Sequence, residues 1–299
     1  MYQNFDELIK SVQGKASKKK VVLAAAHDEH ALEAVIEADK NNIAEPVLVG
    51  DSEKIVALLE KHQVAKDKYT IIHTDTDSEA SKKAVELIRS HQADFLMKGK
   101  MQTSDLLREV VNKETGLYDG KPMSHLAIQE LSSYHKLLGV TDGGMIMYPS
   151  LEEKKSIIEN AVQFYHNMGY KTPKVGVLAA VEVINPKMPE AVEAGQLKEM
   201  NQRGEIKNCL VEGPISYDLA MNKESALIKG YESPVAGDPD ILVVPNITAG
   251  NILGKSLIYS AGAKMAGIII GAKVPIVLTS RGASTEEKYL SLVIAASAV

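Results

Sequence analysis

Lys273-Val274-Pro275-Ile276-Val277-Leu278-Thr279-Ser280-Arg281-Gly282-Ala283-Ser284-Thr285-Glu286-Glu287 decides how this chain reads. Ile276 to Leu278 is a short apolar run of strand length. It stops at Thr279-Ser280-Arg281-Gly282, where a glycine permits a tight turn. Ser284 then opens a helix that runs almost to Val299. A strand, a turn and a helix N-terminus in that order make an anion site in α/β proteins. Arg281 adds a planar fork that matches phosphate or carboxylate, and Ser280 adds a hydroxyl. The competing reading is a loop arginine paired with a surface carboxylate.

Working outward, the same alternation recurs. Val21 to Ala26, Pro46 to Gly50, Tyr69 to His73 and Asp94 to Gly99 read as strands. Helices follow from about His27, Asp51, Ser78 and Thr103. Strand–helix alternation with short connections implies parallel sheets with helices on both faces. Around Asn112 to Pro122 the pattern breaks into Gly, Lys and Pro. His125 to Leu131 and Gly139 to Gly144 then read as strands with no helix between them, which marks a crossing into a second domain. There a helix over Ser150–Met168 is expected, then a strand from Val175, a helix from Met188 to Asn201, a strand from Asn208 and a strand at Asp240 to Pro245. A helix from about Ala249 to Ala263 follows. The strand at Ile276 returns to the first domain. The expected architecture is two parallel-sheet α/β domains, residues 1–136 with 274–299 and residues 137–273, with the ligand cleft between them.

Composition bounds the function. The chain has 299 residues, 45% hydrophobic and 24% charged, which is ordinary for a globular enzyme. A net charge of −5 argues against a broad nucleic-acid surface. A single cysteine, Cys209, excludes an internal disulfide and a Cys-rich metal site, and fits a reducing cytoplasm. The apolar runs are too short to span a membrane, and the N-terminus has no signal-peptide pattern.

Other motifs carry two readings each. Ser284-Thr285-Glu286-Glu287 is a capping box; Glu287 either satisfies the helix start or acts as a base one turn past Arg281. Ala249-Gly250-Asn251-Ile252-Leu253-Gly254-Lys255-Ser256 matches a relaxed nucleotide P-loop. Its register within an expected helix, however, places Lys255 in mid-helix. His27-Asp28-Glu29-His30 offers two histidines to a metal, against Asp28 as a helix cap with exposed histidines. Lys98-Gly99-Lys100, with Thr103 and Arg108, is either a second anion site or a solvated helix start. No HExxH, paired CxxC, GxSxG or GxGxxG is present.

As a set, these residues resemble the phosphate acetyl/butyryltransferase family. The resemblance rests on Phe95 to Gly99 with Thr103-Ser104 and Leu107-Arg108, on Val140-Thr141-Asp142-Gly143-Gly144, on Glu212 to Asp218, on Val244 to Asn251 and on Val277 to Gly282. The Met-Lys-Gly and Ser-His stretches are closer to the butyryl than to the acetyl branch. The resemblance implies a fold shared with isocitrate and isopropylmalate dehydrogenases. It implies exchange of a short acyl group between CoA and phosphate, with coenzyme A as co-substrate and no tightly bound cofactor. It also implies a homodimer or higher homo-oligomer; the expected location is the cytoplasm.

By position, Ser280 would meet the CoA sulfur or the reacting carbonyl, and Arg281 the phosphoryl group. Arg108 falls where an arginine contacting CoA or phosphate is expected. Lys98, Thr103, Asn246 and Asn251 lie in the matching motifs. Glu287 stands where the acetyl enzymes carry an aspartate proposed as base, and His125 where they carry an arginine. The related dehydrogenases hold Mg²⁺ on two aspartates; here Asn251 and Lys255 stand in those places, and lysine opposes a divalent cation.

Acyl transfer between thiol and phosphate needs a thiolate, a neutralised phosphate and donors for the tetrahedral oxyanion. Arg281 supplies the second in this reading and Ser280 the third. Glu287, or Asp218, takes the thiol proton. Cys209 lies in an apolar strand without a local partner, so transfer is expected to be direct, within a ternary complex. The alternatives are a phosphate acetyltransferase, a nucleotide binder using Ala249–Ser256, a metal-dependent dehydrogenase, and a non-catalytic binder of the same fold.

Overall fold

The computed structural model describes residues 1–280 and 282–299, so Arg281 lies outside the described residues. The chain divides into a flanking unit, Phe5–Lys121 with Ala266–Val299, and a central unit, Met1–Asn4 with Pro122–Met265.

The flanking unit begins α1 (Phe5–Gln13), β1 (Lys19–Ala24), α2 (Glu29–Lys40), β2 (Ala44–Gly50), α3 (Ser52–Lys61), β3 (Thr70–His73), α4 (Asp77–Arg89), β4 (Phe95–Lys98) and α5 (Thr103–Val110). The central unit holds β5 (Ser124–Glu130), β6 (Leu138–Thr141), α6 (Leu151–Asn167), β7 (Lys174–Leu178), α7 (Pro189–Gln202), β8 (Leu210–Ile215), α8 (Tyr217–Met221), α9 (Lys223–Ile228), β9 (Ile241–Val243) and α10 (Ile247–Ala261). The chain returns through β10 (Lys264–Ile270), β11 (Ile276–Val277) and α11 (Thr285–Ser297).

In the flanking unit the strand order is β3-β2-β1-β4-β11-β10. All neighbours are parallel except β10 and β11. Val22 sits between Val47 and Leu96, so the centre of the sheet is aliphatic. Val21 to Ala26 are fully buried, because helices cover both faces of a parallel sheet. β2 and β3 lie to one side of β1, and β4 to the other. The order therefore reverses between β1 and β4, and a crevice opens at their carboxyl ends. α11 is buried along most of its length and packs on α2, which accounts for its apolar sequence.

In the central unit the order is β5-β6-β9-β7-β8, with β5 and β6 antiparallel and the others parallel. The sheets are mostly parallel, as expected, with two antiparallel exceptions. Two antiparallel pairs, β5/β6 and β10/β11, are joined by loops too short for a crossover helix. The division at 121/122 falls earlier than the expected 136/137, because β5 pairs with β6. At the other end it falls at 265/266 rather than 273/274. α1 and β10 have no counterpart in the sequence reading.

One buried ion cluster ties the central unit together. The Lys136 side chain is fully buried, and its Nζ donates to Asp240 at 2.8 Å and to the Asp238 carbonyl at 3.0 Å. Asp240 also accepts from the Lys174 backbone N–H at 2.8 Å. Burial raises the Asp238 carboxyl. Hydrogen bonds from Lys136, then Lys174 and His135, outweigh it and hold the group well below the ordinary carboxylate range. A depressed carboxylate contributes stability above its unfolded value, about 3.9, and loses it as pH falls through the folded value. The thermal midpoint should therefore fall on acidification below about pH 4. Lys136→Met strands the buried Asp240 and should cost about 3–5 kcal/mol at neutral pH. It should also flatten the acid limb. Thermal melts of both proteins from neutral to acid pH check this.

Candidate active site

The crevice at the carboxyl ends of β1 and β4 is built by close backbone approach. The Gly99 N–H donates to the Ala24 carbonyl at 2.8 Å and that of Lys100 to Ala25 at 3.0 Å. A Cβ on Gly99 would lie 2.2 Å from the Ala25 carbonyl oxygen, so only glycine fits. Ala25 itself is left-handed, with φ 54°, and turns the chain toward His27.

Beyond this turn lies a pocket of about 650 Å³. His27 and Asp28 line it after β1, and Lys98 to Gln102 after β4. Thr279 and Ser280 line it after β11, and Lys288 from α11. Lys98 and Ser280, separated widely in sequence, thus share one pocket. Lys98 is buried, and its Nζ donates to the Gly99 and Met101 carbonyls, each at 3.1 Å. Ser280 is exposed. The buried Nδ1 of His27 has no hydrogen-bond partner among the described residues. Asp28 is a helix cap, accepting from the Ala31 N–H at 2.9 Å. Glu29 pairs with Lys61. His30 is exposed, as the cap reading expected.

Glu287 sits half-buried in the first turn of α11. Its N–H donates to Ser284 Oγ at 3.1 Å, so the serine arm of the capping motif is formed. Thr103 and Arg108 lie on α5, exposed and outside the pocket lining. Arg108 pairs with Asp105 at 3.3 Å.

The other expected residues belong to the central unit. His125 lies on β5, and burial pushes its imidazole below its ordinary value against the pull of the Asp142 carboxylate. Asp142 accepts from the N–H groups of Gly144 and Met145 at 2.9 Å and of Ile146 at 3.0 Å, which shapes the loop after β6. A Cβ on Gly143 would lie 3.0 Å from the Gly250 backbone, and one on Gly144 would lie 3.1 Å from the His125 ring. These glycines let the loop pack between β5 and α10. Asn251 follows Gly250 and is exposed. Asn246 caps α10, accepting from the Ala249 N–H at 3.0 Å. Asp218 is exposed. Hydrogen bonds from Ser216, then Lys229, hold its carboxyl below the ordinary range, which makes it a weak base.

One competing reading loses its footing. α10 runs unbroken from Ile247 to Ala261, so Lys255 is in mid-helix and not at a phosphate loop. Among the described residues no three His, Cys, Asp or Glu side chains cluster as metal ligands. None of the described helices is long and apolar enough to cross a membrane. Cys209 is buried, and burial pushes its thiol up to about 11, so little thiolate exists at neutral pH. Cys209→Ser should therefore keep turnover within about twofold; a loss of a hundredfold in a steady-state assay would restore a covalent route.

The sequence reading takes His27 only as a metal ligand or an exposed residue, and leaves Lys288 unremarked. The first had a visible signal, its place directly after a central strand. The second is a lone lysine early in a helix that turns out to be buried.

The family model for "Phosphate acetyl/butaryl transferase" matches residues 4–83 and 73–296. A phosphate butyryltransferase of Clostridium acetobutylicum is 44% identical over 99% of this chain and 98% of its own length. A phosphate acetyltransferase of Thermotoga maritima is 43% identical over 97% of this chain and 98% of its own. Among solved structures, a branched-chain phosphotransacylase from Enterococcus faecalis V583 superposes with a TM-score of 0.83 at 34% identity, covering 93% of this chain and 97% of that one.

Proposed function

Since this chain belongs to the phosphate acetyl/butyryl transferase family, we propose that it moves a butyryl-sized acyl group, in preference to acetyl, directly between coenzyme A and phosphate. It is a phosphate acyltransferase: acyl-CoA and phosphate exchange with acyl phosphate and CoA. The observation that carries the site reading is the placement of Ser280 beside Lys98 in one pocket at the sheet's reversal point.

A phosphate oxygen attacks the thioester carbonyl, forming a C–O bond. The tetrahedral oxyanion collapses, the C–S bond breaks, and sulfur leaves as thiolate. In this reading Arg281 holds the phosphoryl oxygens in a bidentate grip. Ser280 donates its hydroxyl to the oxyanion or the sulfur. Glu287 takes the proton given up by the attacking phosphate and passes it to the departing thiolate; in reverse it takes the thiol proton and returns it to phosphate. Lys98 adds positive potential to the pocket. Thr103, Arg108, His125, Asn246 and Asn251 contact substrate, and Arg108 must first leave Asp105. Asp218 is the weaker base, because its lone pairs already accept from Ser216 and Lys229. Coenzyme A is a co-substrate, and no tightly bound cofactor takes part. The protein works as a cytoplasmic homodimer or larger homo-oligomer.

Thiol release from acetyl-, propionyl-, butyryl- and branched acyl-CoA, with and without phosphate, tests the reading. Butyryl-CoA should show a kcat/KM about tenfold above acetyl-CoA, the size expected for two buried methylenes at about 0.8 kcal/mol each. Equal or better use of acetyl-CoA overturns the chain-length assignment, and no release from any of them overturns the function.

A further inference from the structure

The described residues include four buried lysines, and they differ in what neutralises them. Lys136 is paired with Asp238 and Asp240, and Lys154 with Glu193. Lys98 is held by main-chain carbonyls. Lys288 is 5% exposed, and its Nζ donates to one carbonyl, that of Ala283, at 2.8 Å. No carboxylate among the described residues lies within ion-pair distance of it. A buried lysine without an acid partner is uncommon and costly. A lysine has three N–H donors, and among the described residues this one uses a single donor.

Lys288 also lines the pocket that contains Ser280 and Lys98. It sits in the first turn of α11, where the helix's own amides add positive potential. Of the acidic groups in the same lining, Asp28 caps α2, Glu29 pairs with Lys61 and Asp77 begins α4. We propose that Lys288 is a phosphate-binding residue, and that its missing counter-ion is a phosphoryl oxygen of the substrate. This deepens the function given above and rests on it. Lys288 and Arg281 would then grip the phosphoryl group from the helix and from the turn.

Phosphoryl oxygens occur both on inorganic phosphate and on CoA, so calorimetric titrations of each separate the two sources. The variants are Lys288→Met, which keeps apolar length, and Lys288→Gln, which keeps polarity if the first does not fold. The expected result is inorganic phosphate bound about tenfold more weakly or worse, with CoA affinity within about twofold of the parent. Smaller weakening of phosphate overturns the proposal. So does loss of CoA affinity with phosphate binding retained, which places a CoA phosphate at Lys288. Binding is read without turnover, so the acyl-transfer reading fails separately: phosphate binding that depends on Lys288, with no thiol release from any acyl-CoA, sinks the function and keeps the site.

Discussion

Arg281→Ala lowers kcat by about a thousandfold and raises the KM for phosphate, while the thermal midpoint stays near that of the parent. A preorganised donor aimed at developing charge contributes about a hundred- to a thousandfold in rate. Arg281 is proposed to neutralise the attacking phosphate as well as position it. Arg281→Lys restores only part of the loss, because an ammonium keeps the charge and loses the fork. Steady-state kinetics with both substrates varied give the comparison. Near-parental constants for the alanine variant would remove Arg281 from the site.

Gly99→Val should disrupt the fold at the mouth of the pocket. The new Cβ would lie 2.2 Å from the Ala25 carbonyl oxygen and 2.8 Å from that of Ala24, both backbone atoms that cannot rotate away. Relief requires β4 to separate from β1 at the mouth of the pocket. The cost should reach about 3 kcal/mol or more, in the range of overpacked or strained interiors. Phosphate binding should go with it, since Lys98 and Lys100 flank the displaced glycine. Gly282→Ala is the contrast: nothing lies within 4 Å of the added Cβ, and the stability change should stay below about 1 kcal/mol. Denaturant melts of the two variants decide the matter; equal stabilities would contradict the packing argument.

The strand–helix alternation was legible because its signals are local. Apolar runs such as Val21 to Ala26 meet caps such as Asp28, Asp51 and Ser284, and each takes the expected place. The rejection of a P-loop at Ala249–Ser256 rested on the same local logic and holds. β10 falls outside that alternation: Ile268-Ile269-Ile270 is apolar and β-branched, but the strand pairs antiparallel with β11 and no helix lies between them. What the sequence could not display is pairing at a distance. Lys288 looks like a solvated residue of a first turn; the tertiary packing of α11 buries it. Asp218 looks like a spare carboxylate until Ser216 and Lys229 are seen to occupy it. Asn246 reads as a motif residue, yet its side-chain oxygen caps a helix. Arg108 looked free for an anion, and Asp105 on the same helix takes it in this structure.

The central claim is direct acyl transfer from CoA sulfur to phosphate, without an acyl-enzyme. Excess enzyme mixed with acyl-labelled butyryl-CoA tests it in one experiment. Without phosphate, the account predicts no free thiol and no label on the protein. On adding phosphate, one thiol and one labelled acyl phosphate should form per butyryl-CoA consumed. Thiol released before phosphate is added, with label retained on the protein, would contradict direct transfer. The absence of any release after phosphate is added would contradict the assignment as a whole.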